Sequence, residues 1–72
     1  MKNNYIDYLI FKLPVPISID RKRSTCSAGF PNFMRTGASP SKAVDLFKDD
    51  LRNELTCMPI EAIDLYLAKL IQ

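Results

Sequence analysis

The chain changes its hydrophobic rhythm once, at Ser39. Before that point apolar residues alternate with polar ones or run together, punctuated by proline; after it they recur every three or four residues. Ala43, Val44, Phe47, Leu51 and Leu55 fall on one stripe at helical spacing, with Lys42, Asp45, Asp49 and Arg52 opposite. Ser39 suits an N-cap, and Pro40 suits the first helical position, where a missing N–H costs nothing. An amphipathic helix ending near Leu55 is predicted. "TCM" interrupts it, and Pro59 then starts a second helix with Glu61 in its first turn, where the helix dipole favours an acid. Ile60, Ile63, Tyr66, Leu67, Leu70 and Ile71 make a broader apolar face, so this second helix is expected to be the more buried. The short link predicts an antiparallel helical hairpin.

The first half reads differently. "YIDYLIFKL", Tyr5 to Leu13, is rich in aromatic and β-branched residues, and Leu9, Phe11 and Leu13 alternate with Tyr8, Ile10 and Lys12. This predicts a strand with two largely apolar faces. Pro14 and Pro16 cannot donate ladder hydrogen bonds and mark a strand end or sheet edge. "ISID" resumes as a short strand with Ile17 and Ile19 on one face, "DRKR" makes a charged turn, and "STCSAGFPNF" is the returning strand, weakened at its far end by Gly29 and Pro31. Gly37 loosens the chain before the first helix. The expected fold class is α+β in a single domain: a small N-terminal antiparallel β-sheet of two or three strands within residues 1–36, then a C-terminal two-helix hairpin within 37–72.

The two predicted helices echo each other at an offset of nineteen residues: Pro40/Pro59, Ala43/Ala62, Asp45/Asp64, Leu46/Leu65 and Leu51/Leu70 coincide. Duplication and shared helix grammar both produce such a match, and grammar is the better reading. Proline at the start, a small residue one turn in and an aliphatic–aromatic stripe suit any capped amphipathic helix. No solenoid follows, since stacked repeats need at least three units.

At 72 residues the chain is a small domain. Such a domain buries only about 60 % of the surface its unfolded chain exposes, so self-association as a homodimer, or binding to a larger protein partner, would stabilise it. Charge is unevenly placed. Residues 1–36 carry Lys2, Lys12, Arg21, Lys22, Arg23 and Arg35 against two acids; residues 37–72 carry four cations against six acids. Two different contact surfaces are implied. Asp7, Lys12 and Pro14 break the N-terminal apolar run, which argues against a signal peptide, and no run approaches the length of a membrane span. Cys26 and Cys57 are read as reduced thiols of a cytoplasmic protein, although a disulfide between them is an open alternative.

Little in the chain points to catalysis. There is no histidine, the commonest general base, and two thiols fall short of the four ligands of a zinc site. Asp49 and Asp50 are adjacent and point to different helix faces. Gly29 and Gly37 do not make a phosphate-cradling pattern. Neither an enzyme nor a cofactor is expected. The strongest electrostatic feature is "DRKRST": Arg21, Lys22 and Arg23, with Arg35 as a further cation, are the candidate contacts for nucleic acid or for an acidic protein surface. A solvated turn is the plain alternative.

Two stretches resemble known families. "FPNFMRTGASPSKAVDLFKDDL" resembles the strand–turn–helix of HicB-like antitoxins at Pro31, Gly37, Ser39, Lys42, Ala43 and Val44, although Lys42 stands where that family usually has Glu and a second helix replaces its last strand. "MPIEAIDLYLAKLI" is similar to the second helix of RelB/DinJ-type ribbon-helix-helix antitoxins through Pro59, Glu61, Ala62, Ile63, Leu65, Tyr66 and Leu67; there a ribbon strand should precede the first helix, and "GFPNFMRTG" reads as a poor strand. The two imply different folds. Both imply a small antitoxin-like or regulatory protein that pairs with a protein partner, and the second also implies operator DNA. The competing expectations are a phage or mobile-element inhibitor docking on a host nucleic-acid-processing complex, and an adaptor subunit.

Overall fold

The computed structural model describes residues 2–71. Helix α1 (Lys2–Lys12) leads into strands β1 (Ile17–Asp20), β2 (Thr25–Phe30) and β3 (Phe33–Gly37), and helices α2 (Pro40–Thr56) and α3 (Ile60–Ile71) follow. The fold is α+β: a short N-terminal helix, a three-stranded antiparallel sheet in the order β1-β2-β3, then two helices. No helix among the described residues is long and apolar enough to cross a membrane.

The expected strand over Tyr5–Leu13 is instead α1. Ile6 and Ile10 are fully buried, Tyr5, Leu9 and Leu13 pack partly against them, and these five positions share one helical face. Phe11, on one of the two apolar faces expected of a strand, is 82 % exposed. Tyr8 and Phe11 on the outer face gave the segment its false alternation. Lys12 closes the helix, with its ammonium 4.9 Å from the centre of the Tyr8 ring one turn back. The N-terminal half is therefore part helix, not wholly β-rich.

The sheet comes from residues 17–37, with one strand more than the reading of "STCSAGFPNF" as a single returning strand. Pro31 and Asn32 form a tight turn, Phe30 lies opposite Phe33, and "FMRTG" completes a hairpin. Directly opposed residues share a face. The register therefore turns Ile17, Ile19, Cys26, Ala28, Phe30, Phe33, Arg35 and Gly37 toward the helices and Ser18, Ser27, Met34 and Thr36 away from them. On the outer face the Ser27 and Thr36 hydroxyls lie 3.2 Å apart.

Helix α2 begins as its sequence dictates. Ser39, extended at φ −142°, accepts a hydrogen bond from the Lys42 N–H, and Pro40 occupies the first turn. Ala43, Phe47, Leu51 and Leu55 are fully buried, and α2 lies across β2 and β3. Helix α3 turns back and buries Ile63, Leu67 and Leu70, while Ile60 and Ile71 stay half exposed. The buried positions of α2 are all wholly buried, whereas Leu67 and Leu70 of α3 keep 8 % and 7 % exposure; the deeper burial expected of α3 is not seen, and α2 is the helix that lies across β2 and β3. The far end of α3 reaches the β2–β3 turn, where Tyr66 and Leu70 face Asn32. From the two predicted stripes, Phe47, Leu51 and Leu70 are buried and Tyr66 packs at the margin of the core.

Truncating Leu51 to Ala should cost about 2–5 kcal/mol, a large part of the stability of so small a domain. Denaturant melts of Leu51→Ala and the exposed control Phe11→Ala check this; equal midpoints would show the core to be elsewhere.

Candidate functional site

The basic turn is built by Asp20. Its carboxylate accepts hydrogen bonds from the Lys22 N–H at 3.1 Å and the Arg23 N–H at 3.3 Å, so the side chain closes the loop that joins β1 to β2. Ser24 takes a left-handed φ of 53° and returns the chain into β2. The acid of "DRKR" is thereby committed to the backbone. Its other oxygen lies 3.9 Å from Arg23 Nε, yet the Arg23 side chain remains 84 % exposed. Arg21 and Lys22 are exposed, and among the described residues neither forms an ion pair. The result is a pinned loop presenting three cations.

Arg35 is not part of it. It faces the helices from β3, opposite Ala28, three positions along the sheet from Thr25 where the turn ends. Strand rise puts that about 10 Å away along the sheet, with a further strand spacing across it. Its Nε donates to Asp50 on α2, its Nη1 donates to the Met34 carbonyl at 2.8 Å, and its guanidinium sits 4.6 Å over the Phe33 ring. Arg35 clamps α2 to the sheet rather than offering a free charge.

A cation that sequence reasoning missed is Lys42. Gly37, opposite Cys26, ends β3 at the same end of the sheet as the β1–β2 turn. The first turn of α2 lies directly over it: a Cβ at Gly37 would meet the Ala43 nitrogen at 2.8 Å and the Lys42 Cβ at 3.1 Å. The exposed Lys42 and the positive end of the α2 dipole therefore share an end of the molecule with Arg21, Lys22 and Arg23. Nineteen residues separate Lys42 from Arg23, so only the sheet register brings them to one end.

Apart from Asp45, three residues after Lys42, the acids of the helical half lie elsewhere. Asp49, Asp50 and Glu54 lie along the later part of α2, and Glu61 and Asp64 on α3. Several are already engaged. Asp64 accepts a 2.6 Å hydrogen bond from the Tyr5 hydroxyl, and Arg52 pairs with Asp7 at 2.7 Å beside the shallow groove between α1 and α2. The Tyr5 phenol is raised above its ordinary value by that hydrogen bond, with burial and the Asp64 charge adding to it; Tyr66 is raised by burial and by the Glu54 charge. Because both are raised on folding, their contribution is complete below about pH 10 and fades as pH climbs through the folded values.

No group of three or more potential ligating side chains that could hold a metal occurs among the described residues. Cys26 is buried in β2 and Cys57 is exposed after α2, both as free thiols. The two mark opposite ends of α2, about 25 Å of helix apart, so they do not pair within one chain. No protein-family model, curated protein or solved structure matches the chain.

Replacing Asp20 with Ala should leave the fold intact but loosen the turn. Trypsin, which cuts after Arg and Lys, should then nick residues 21–23 faster than in the parent; unchanged nicking would mean that the carboxylate does not hold the loop.

Proposed function

We propose that this is a small non-enzymatic binding protein, antitoxin-like or regulatory, whose basic turn is the contact for an acidic surface of a protein partner. The observation that carries the reading is the division of labour in the turn. Asp20 serves the backbone, while Arg21, Lys22 and Arg23 project into solvent with almost no compensation. Cations at a fixed loop steer an oppositely charged partner into register and raise the association rate. Lys42 and the start of α2 extend the same field.

Nucleic acid is the competing anionic partner, because each free cation could neutralise one phosphate. The exposed aromatics Tyr8 and Phe11 sit on α1, and among the described residues the cation–π contacts are made by Lys12 and Arg35 rather than by the turn, which supports an acidic protein face. Inhibition of a nucleic-acid-processing complex would use the same surface and differs only in the identity of the partner.

The test is the combined variant Arg21→Ala, Lys22→Ala, Arg23→Ala. With a protein partner the variant should mainly slow association, with a weaker salt dependence. With nucleic acid it should flatten the salt slope by roughly two to three counterions. Unchanged affinity for the captured partner at low salt would remove the turn from the interface.

A further inference from the structure

The two edges of the sheet are finished differently. In an antiparallel ladder, opposed residues alternate between exchanging hydrogen bonds and not. The Gly29 N–H donates to the Pro16 carbonyl at 3.0 Å, and these two are opposed in the register that pairs Ile17 with Ala28 and Ser18 with Ser27. Pro16, Ser18 and Asp20 therefore direct their backbone groups inward to β2. Ile17 and Ile19 direct theirs outward, to the open edge. On the far edge, the tight turn closed by Phe30 and Phe33 makes Met34 and Thr36 the outward pair, and there the Arg35 guanidinium caps the Met34 carbonyl. A charged side chain blunts β3, as edge strands commonly require. Nothing blunts β1. Its Ile17 and Ile19 side chains are 47 % and 65 % exposed, and the same two residues hold its free N–H and C=O groups.

We infer that the β1 edge is a pairing seam for a second copy of this chain, joined antiparallel about a two-fold axis through Ser18. This inference is independent of the basic turn's partner. The seam is self-complementary. With Ser18 opposite its own copy, Ile17 of each chain faces Ile19 of the other, and both are the residues with outward backbone groups. Each such pair exchanges two hydrogen bonds, so four form across the seam and two three-stranded sheets become one of six strands. All four isoleucines then line the helix-facing side, covering apolar surface that α2 does not reach. Pro14 and Pro16 flank the seam, and Asp20, whose backbone faces β2, ends it. Because the strands run antiparallel, the two basic turns are carried to opposite ends of the seam, so they do not repel across it. Another protein's strand would satisfy the same edge, but the alternation of Ile, Ser and Ile about Ser18 matches its own inverse. A four-residue strand is a small seam compared with the 1,200 Å² or more of a stable interface, so the dimer is reversible and concentration-dependent.

Sedimentation of the full chain from low micromolar to millimolar concentration should show a reversible rise toward twice the 8.2 kDa monomer mass. Ile19→Lys places a charge on both symmetry-related pairs and should weaken association by at least about tenfold without altering the melt, since Ile19 is exposed in the single chain. In a Cys57→Ser background, Ser18→Cys should form a disulfide-linked dimer under mild oxidation, because the opposed non-hydrogen-bonded position brings its own copy to about 4.5 Å between Cα atoms. A parent that stays monomeric throughout overturns the inference. So does a dimer that tolerates Ile19→Lys and gives no cross-link at position 18, because its seam would lie elsewhere.

Discussion

The fold hangs on one ring. Phe47, midway along α2 and wholly buried, meets Phe30 and Phe33 edge-on, with ring centres 6.1 and 5.5 Å away. Those two rings lie on either side of the Pro31–Asn32 turn, so a single side chain holds both strands of the hairpin against the helix. The packing needs Gly29. Its φ of +127° is open to glycine and rarely to other residues, and any Cβ there would collide with the Phe33 carbonyl oxygen and come within 2.8 Å of the Phe47 ring. Glycine is a weak strand former, yet here its missing side chain is the space the ring fills. Once α2 is seated, the Arg35–Asp50 pair fixes its roll on the sheet, and α1 and α3 close over what remains.

Where one face of an element is cleanly apolar and its caps are local, the sequence is enough. The Ala43–Phe47–Leu51–Leu55 stripe and the Ser39–Pro40 start are legible because the residues that decide them lie within a few positions of one another. The α1 segment defeats the same logic. Tyr8 and Phe11 put aromatic surface on its solvent side, so period two and period four fit almost equally well, and only burial of Ile6 and Ile10 against distant residues decides between them. The β2–β3 hairpin was obscured in another way. Gly29 and Pro31 look like breakers in isolation, and their use as ring space and tight turn depends on Phe47, sixteen or more residues downstream. Register is also non-local, so the sequence alone groups Arg35 with the basic turn and passes over Lys42.

Electrostatics and backbone chemistry divide the surface between them. Cations compensated by a partner, Arg35 and Arg52, bind elements to each other, whereas those of the β1–β2 turn have their one neighbouring acid diverted to the backbone. The same strand that carries this turn leaves its outer edge unguarded. A charge at either end of a sheet sets which molecules approach; an open ladder sets how an arriving strand must lie. Both properties meet in the eight residues from Ile17 to Ser24, almost none of which contributes to the core.

The bond between Tyr5 and Asp64 joins residues 59 apart in sequence, the most distant pair in the hydrogen-bonding network described here. Both belong to terminal helices, and neither helix lies flat on the sheet. Helix α1 docks on α2, through Ile6 and the Asp7–Arg52 pair, and the Tyr5–Asp64 bond adds a tie from α1 to α3. One side-chain bond thus spans the two flanking helices, so α3 is tied to the body through α1 as well as through its own buried stripe.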